Sequence, residues 1–279
     1  MRARLVVHTG GIGDFLLTCP AIREWAGREP VDLLGHIERL DLAVHGGLAR
    51  KTYDLDSVEF ASVLREPSTQ LRAFFENYDR VVVWMRDDDG TIKRNIRDCG
   101  VVEVNVLPGL PPEDWTRHAS EYYLSRLGCE SDDPIRLNIQ PAHDAHDVII
   151  HPGSGSPKKN WPLKRFIGLA THLRDTARTV TWCLGPAEIE SIRFAEIADE
   201  PTLRIESLAD LAATLANTRR FIGNDSGIAH LAAAVGAPTT VLFGPTDPAI
   251  WAPRGSHVTV VQGDPWPDVA SVSAQAMRS

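Results

Sequence analysis

The first glycine-rich loop, residues 10–14, combines three glycines with one carboxylate. It follows the apolar run 5–8 and precedes apolar residues at helical spacing, so it should join a strand to a helix. The register that begins at Gly11 lacks the third glycine of a dinucleotide-binding fingerprint, and no Walker A lysine follows. Gly11 and Gly13 would let the backbone approach a ligand, while Asp14 is suited to capping the helix or to acting as a general base. The residues alone leave both roles of Asp14 open.

The second glycine-rich loop, residues 151–160, carries small residues together with Lys158 and Lys159. A helix is predicted to begin immediately afterwards, at residues 161–162. Small residues expose backbone N–H groups, and a helix N-terminus and positive charge both attract anions. The alternative is a solvated loop with surface lysines. Because the helix start and the cations coincide, we favour a phosphate site.

The third loop, residues 223–230, again leads from the end of a predicted strand into a helix. Asp225 or Ser226 is expected to cap that helix. His230 would lie one turn into it, a position at which a histidine on its own is more often a core residue than a ligand. A tight turn at residues 244–248 should lie near the same sheet edge, and its role is left open between a plain turn and part of the site.

These loops must be held in place by alternating strands and helices. Apolar runs predict strands at 5–8, 31–35, 81–85 and 101–106, then at 148–150, 179–184, 220–223 and 239–243, with helical patterns between them. Pro20 suggests that residues 15–19 are only a loose first turn. Strands that alternate with helices form parallel, doubly wound sheets. We therefore predict an α/β protein with two Rossmann-like domains that face a cleft, where ligands meet the carboxyl ends of the strands.

The predicted boundary between the two domains lies in the segment 128–147, which mixes turn-forming residues with charge. We expect an N-terminal domain at 1–142 and a C-terminal domain at 143–279. The tail after about residue 262 is expected to pack back on the first domain.

Composition excludes several classes of protein. The 279 residues are 43% hydrophobic and 24% charged, as in ordinary globular domains, and the formal net charge is −8. Without a basic stripe, nucleic acid is not an expected partner. Four scattered cysteines indicate neither a disulfide scaffold nor a zinc site, and no metal is expected. No apolar segment resembles a signal peptide or a membrane span, so the expected location is the cytoplasm, with peripheral contact to the inner face of its membrane left open.

The three loops, in this order, resemble those of glycosyltransferase family 9, the lipopolysaccharide heptosyltransferases, which are inverting enzymes of the GT-B fold. The resemblance rests on residues 10–23, on His-Pro-Gly-Ser-Gly and Lys-Asn-Trp-Pro in 151–162, and on 224–238 followed by 242–248. It spans about residues 5–254, although residues 30–140 match only as a pattern, with 117–119 as a weak anchor.

The resemblance implies that the domain at 1–142 binds the acceptor and the domain at 143–279 binds the nucleotide sugar. It also implies roles for individual residues. It makes Asp14 the general base and assigns the donor ribose to Glu188, with Glu190 a poorer fit. Gly11, Gly13 and Gly153 are its loop glycines. It assigns the donor phosphates to Ser154, Lys159, Asp225, Ser226, Gly227 and His230.

The implied reaction is metal-independent transfer of a heptose from an ADP-linked sugar to a hydroxyl acceptor, with inversion and without a cofactor beyond the co-substrate. A base takes the acceptor proton, and cationic and N–H groups stabilise the leaving diphosphate. Residues 1–140 carry 17 Lys and Arg against 23 Asp and Glu. This excess of negative charge would repel a heavily phosphorylated acceptor. The acceptor is thus left open among a glycan, a small molecule and a protein. The alternative functions are a GT-B-like sugar-nucleotide epimerase and a catalytically silent sugar-nucleotide-binding protein.

Overall fold

The computed structural model describes residues 3–131, 133–204 and 207–277 and divides into two compact units. The first unit comprises Met1–Trp115 and Ala119–Asp133, and the second comprises Thr116–His118 and Pro134–Ser279. The contacts therefore change from one unit to the other earlier than the boundary at residue 142 predicted from composition. The reason is that this segment pairs along the second unit, where the Leu137 N–H donates to the carbonyl of Ala234.

The first unit is built on a five-stranded, fully parallel sheet in the order β3-β2-β1-β4-β5. Its strands are β1 (Ala3–His8), β2 (Val31–Gly35), β3 (Ala49–Asp54), β4 (Tyr78–Trp84) and β5 (Glu103–Leu107). Its helices are α1 (Ile12–Trp25), α2 (Ile37–His45), α3 (Thr69–Phe75), α4 (Thr91–Asp98) and α5 (Ala119–Arg126), with 3-10 turns at Asp56–Val58 and Phe60–Leu64. Buried side chains such as Val7, Val81 and Val83 form its core.

The second unit has a six-stranded parallel sheet in the order β11-β10-β9-β6-β7-β8. Its strands are β6 (Val148–His151), β7 (Val180–Leu184), β8 (Thr202–Arg204), β9 (Phe221–Asn224), β10 (Thr239–Phe243) and β11 (Val258–Gln262). Its helices are α6 (Leu163–Asp175), α7 (Pro186–Ile189), α8 (Leu208–Ala216), α9 (Gly227–Ala234), α10 (Pro248–Trp251) and α11 (Val269–Ala276), with 3-10 turns at Pro157–Lys159 and Ile192–Ile197. This strand order is that of the Rossmann fold. The prediction of two Rossmann-like units is confirmed.

Helix α1 corrects the expectation that Pro20 leaves residues 15–19 as a loose turn. Residues 12–25 form one α-helix with Pro20 inside it. Proline removes one intrahelical hydrogen bond, but the buried residues of α1, among them Phe15, Leu16 and Ile22, fasten the helix to the unit. Burial of these apolar side chains outweighs the loss of a single backbone bond.

Helix α11 corrects the prediction that the tail after residue 262 returns to the first domain. Its buried Val272 and Ala276 belong to the core of the second unit, together with Phe166 and Leu169 of α6. Just before α11, the indole N–H of Trp161 donates to the Pro267 carbonyl over 2.9 Å. An apolar helix face requires a partner, but the sequence pattern does not say which unit supplies it.

Each sheet reverses its strand order at one point, between β1 and β4 in the first unit and between β6 and β9 in the second. Ligands of open α/β sheets bind at such points, outside the carboxyl ends of the strands. The loops that begin after His8, His151 and Asn224 leave the sheets there. Across the described ranges, no helix combines the length and the apolar character needed to cross a membrane.

Candidate functional site

The loop that follows β6 is fastened to the end of β9 by Asn224. The side-chain amide of Asn224 is fully buried. Its Nδ2 donates to the Pro152 carbonyl over 2.8 Å, and its Oδ1 accepts from the Trp161 N–H over 2.8 Å. One side chain therefore holds both ends of the 152–161 loop, which fixes the backbone groups between them.

Lys159 and Asp225 form an ion pair at this sheet edge. The Lys159 ammonium donates to Asp225 Oδ2 over 2.9 Å, and the Asp225 side chain is only 6% exposed whereas that of Lys159 is 35% exposed. The hydroxyl of Thr246, from the turn after β10, donates to the same oxygen over 2.9 Å. The ammonium of Lys159 is thus fixed in position by its hydrogen bond to Asp225. Because an ammonium has three N–H groups, it can also donate to a bound anion.

Helix α9 begins beside this pair. Ser226 is its N-cap, and its hydroxyl oxygen accepts from the Ala229 N–H over 3.3 Å. The first turn of an α-helix carries N–H groups without an intrahelical acceptor and the positive end of the helix dipole. A helix start at Gly227 next to Lys159 is suited to binding an anion.

His230 is a buried residue behind this surface. Burial lowers its pKa to about 4, and the neighbouring His118 opposes its protonation further, although the Asp225 carboxylate acts in the other direction. A ring nitrogen of His118 lies 2.8 Å from the Ala252 carbonyl. His230 is therefore neutral near pH 7 and interacts electrostatically with Asp225 and His118.

Ser154 shapes its own loop. Its hydroxyl lies 2.6 Å from Asn160 Oδ1 and 2.7 Å from the Ser156 carbonyl, and its oxygen accepts from the Ser156 N–H over 3.3 Å. A hydroxyl has one hydrogen to donate. To donate to a phosphate oxygen, Ser154 would have to give up its hydrogen bond within the loop.

Glu188 lies against the same loop from the end of β7. Its Oε2 accepts from the Gly185 N–H over 2.9 Å. A Cβ added to Gly153 would stand 2.1 Å from Glu188 Oε1, so the carboxylate occupies the space beside that glycine. A ring nitrogen of the buried His151 lies 2.9 Å from the Cys183 carbonyl, and burial lowers the pKa of His151.

A cavity of about 340 Å3 opens beside Glu188. Its lining includes both apolar and polar side chains, among them Leu184, Glu190, Phe194, Thr202 and Arg204. Apolar walls with a few polar groups are typical of sites for small molecules. Glu190, the poorer match for ribose, also lines this cavity.

Asp14 lies in the first turn of α1, in the first unit. Its Oδ2 accepts from the N–H of Gly11, the N-cap residue, over 3.2 Å, and Gly13 precedes it in the same turn. The ring of His8 lies close by, since a Cβ on Gly10 would meet His8 Cε1 at 2.9 Å and Asp14 Oδ2 at 3.4 Å. The N-cap of α1 is Gly11, so the expectation that Asp14 itself caps the helix is wrong: Asp14 lies at position N3 and makes the return hydrogen bond of a capping box to the N-cap N–H.

The second unit thus brings most of the predicted donor-site residues together, and Asp14 belongs to the first unit. Asn224 and Thr246 were not predicted as functional residues, although Asn224 is the last residue of β9, Thr246 lies in the turn after β10, and both lie within the quoted motifs. No group of three or more His, Cys, Asp or Glu side chains suited to a metal ion occurs within the described part of the chain.

Comparison with known proteins identifies related sequences. The sequence model of the family described as glycosyltransferase family 9 (heptosyltransferase) matches residues 125–277, more than half of the chain. Lipopolysaccharide heptosyltransferase 1 of Pseudomonas aeruginosa is 33% identical over 151 residues, which are 49% of this chain and 42% of that protein. Lipopolysaccharide heptosyltransferase 3 of Escherichia coli is 33% identical over 118 residues, 40% of this chain and 35% of that protein. The matches span less than half the length of these relatives.

Solved structures share the fold over nearly the whole chain. The E. coli ADP-heptose lipopolysaccharide heptosyltransferase II superposes with a TM-score of 0.75 at 16% identity and covers 93% of this chain and 90% of its own. An E. coli heptosyltransferase solved with ADP gives a TM-score of 0.67 at 18% identity, covering 99% of this chain and 97% of its own. At these identities the likeness shows the fold, which is the two-domain, Rossmann-like GT-B fold.

Proposed function

Because the chain belongs to glycosyltransferase family 9, we propose that it transfers a heptose from an ADP-linked donor to a hydroxyl acceptor, with inversion at the anomeric carbon. The observation that carries this proposal is the Lys159–Asp225 pair at the reversal point of the second sheet, beside the start of α9. A nucleoside diphosphate is the anion that this combination suits best. The solved relative that contains ADP has the same fold.

The donor would be bound through three features of the second unit. Lys159 and the first-turn N–H groups of α9 would take the diphosphate, whose charge grows as the bond to the sugar breaks. Glu188 would accept hydrogen bonds from ribose hydroxyls. The cavity beside Glu188 would take the base. In this scheme positive charge and N–H dipoles, supplied by the chain itself, stabilise the leaving group.

Asp14 would remove the proton from the acceptor hydroxyl as that oxygen attacks the anomeric carbon. One bond forms between the acceptor oxygen and the sugar, the bond to the diphosphate breaks, and ADP leaves with the electron pair. Attack from the side opposite the leaving group inverts the anomeric centre. General base catalysis of this kind typically contributes a factor of about 10²–10⁴.

A glycan is the acceptor that we propose, because the relatives described above are lipopolysaccharide heptosyltransferases. The first unit is the proposed acceptor-binding unit, and its excess of acidic residues favours an acceptor with few phosphates. We propose that the transfer takes place in the cytoplasm. The alternative is that the protein acts there in peripheral contact with the inner face of the membrane.

The test is to incubate the protein with ADP-heptose, with and without candidate glycan acceptors, and to follow ADP release and anomeric configuration by NMR. We expect ADP only when an acceptor is present, and a product of inverted configuration. Consumption of the sugar nucleotide without an acceptor would instead indicate an epimerase. Binding without consumption under any condition would indicate a sugar-nucleotide-binding protein.

A further inference from the structure

Thr246 shares its acceptor with Lys159. The Thr246 hydroxyl and the Lys159 ammonium both donate to Asp225 Oδ2, each over 2.9 Å. The two donors come from different loops, after β10 and after β6, and Asp225 follows β9. A single buried carboxylate oxygen therefore connects three loops at the carboxyl edge of the second sheet.

We propose that Thr246 is a positioning residue, which fixes the Asp225 carboxylate and through it directs the Lys159 ammonium toward the donor diphosphate. This inference rests on the function proposed above and adds a residue to it. Thr246 would act on the donor through Asp225 and Lys159.

The physical reason lies in how a buried carboxylate is satisfied. Asp225 is 5% exposed, and a buried charge needs charged or hydrogen-bonding partners. With Thr246 donating, part of this requirement is met by a neutral group. Without it, the carboxylate would draw more strongly on Lys159. The ammonium would then be turned inward and would be shared less well with a phosphate.

The substitution Thr246→Val tests this, because it keeps the shape of the side chain and removes the hydroxyl. By calorimetry we expect the Kd for ADP to rise about 5–20-fold, less than for the loss of a direct hydrogen bond to a charged group, because the hydroxyl acts through Asp225. Thr246→Ser keeps the hydroxyl and should stay within about twofold of the wild type. If valine prevents folding, Thr246→Ala, which also lacks the hydroxyl, carries the same expectation.

Thr240 offers a matched control on β10. Its hydroxyl is buried and has no hydrogen-bond partner among the described residues. Thr240→Val is the same change at a buried position of the preceding strand. It should leave the Kd for ADP within about twofold of the wild-type value. An equal loss in Thr240→Val would mean that the valine acts through general packing, which would overturn the role of the Thr246 hydroxyl.

A double-mutant cycle tests whether the effect passes through Lys159. In a Lys159→Ala background, Thr246→Val should change the Kd for ADP by less than about twofold, because coupled residues do not give additive effects. Full additivity, or a Thr246→Ser variant as weak as the valine, would overturn the inference. A wild-type protein that binds no nucleoside diphosphate would contradict the proposed function. Normal binding by Thr246→Val would contradict only the role of Thr246.

Discussion

The carboxylate of Glu188 fills the space beside Gly153 in which any larger residue would place its Cβ. That atom would lie 2.1 Å from Glu188 Oε1 and 2.6 Å from its Cδ. On its other side the carboxylate accepts from the Gly185 N–H. The absence of a side chain at Gly153 thus allows the Glu188 carboxylate, which we propose binds ribose, to lie against the 152–161 loop. This contact links the proposed ribose site to the proposed phosphate site.

Gly153→Ala should therefore displace Glu188. We expect affinity for ADP to fall about tenfold or more, the scale of a lost hydrogen bond to a charged group, while affinity for inorganic pyrophosphate changes less. Calorimetry with both ligands checks this. Gly155→Ala is the control, since a Cβ there meets nothing within 4 Å. Equal losses for ADP and pyrophosphate would show that the whole loop has moved instead of Glu188.

Lys159→Ala should weaken binding of the donor in its ground state, because the diphosphate is already charged before reaction. We expect a loss of about 1.5–3 kcal/mol in the binding free energy of ADP, the range for a charged hydrogen bond. The neighbouring Lys158 is exposed, and Lys158→Ala should keep nearly the full affinity. If calorimetry gives the same Kd for Lys159→Ala and the wild type, Lys159 is not part of the donor site.

Two of the buried histidines, His8 and His230, predict a loss of stability in mild acid, and the burial of His151 acts in the same direction. Burial lowers the pKa of His8 and that of His230 to about 4, and the charge of Arg39 adds to this at His8. The unfolded chain takes up these protons near pH 6.5 and the folded chain does not, so stability falls as the pH drops below 6.5. At pH 5 each of these two histidines should cost about 2 kcal/mol of unfolding free energy.

Urea unfolding at pH 7.5 and pH 5.0 measures this difference. The unfolding free energy should differ less between pH 7.5 and pH 5.0 in His8→Asn than in the wild type, by about the 2 kcal/mol expected for one histidine. This holds whatever the effect of the substitution on stability at pH 7.5. His172→Asn, at an exposed position of α6, is the control for introducing asparagine. An unchanged pH difference in His8→Asn would mean that His8 is already protonated in the folded protein at pH 5.

The fold was largely predictable because its central strands are continuous apolar runs. The predicted strands at 31–35 and 239–243 coincide with β2 and β10, since parallel strands covered on both faces need apolar residues throughout. The partly exposed edge strand β3 was not predicted. Its sequence, Ala-Arg-Lys-Thr-Tyr-Asp, is mostly polar. An edge strand that is partly exposed does not need a continuous apolar run, so the sequence pattern does not indicate it.

The site was predictable where its residues stand in contiguous motifs, and much less so where they meet across the fold. Nothing in the sequence pairs Thr246 with Asp225 or Asn224 with Pro152, because these contacts depend on strand order. Glu188 was assigned to the ribose by resemblance alone. Its packing on Gly153 is a consequence of β6 and β7 lying side by side.

The proposed glycosyltransferase mechanism requires Asp14 to act as the general base. The hydrogen bond from the Gly11 N–H to Asp14 Oδ2 shows a capping function, and the proposed mechanism requires a second, chemical function of the same carboxylate. Asp14→Asn separates them, because the amide oxygen can still accept from Gly11 but cannot take a proton. Asp14→Ala removes both, and should cost about 0.3–1 kcal/mol of stability, the scale of a carboxylate in the first turn of a helix.

The most direct measurement is the rate of heptose transfer from ADP-heptose by Asp14→Asn, beside its Kd for ADP and its Tm. We expect turnover to be lower by about 10²–10⁴-fold, with the Kd and the Tm close to those of the wild type. An Asp14→Asn protein that transfers heptose at the wild-type rate would contradict the role of Asp14 as the general base and leave it only its hydrogen bond to the Gly11 N–H.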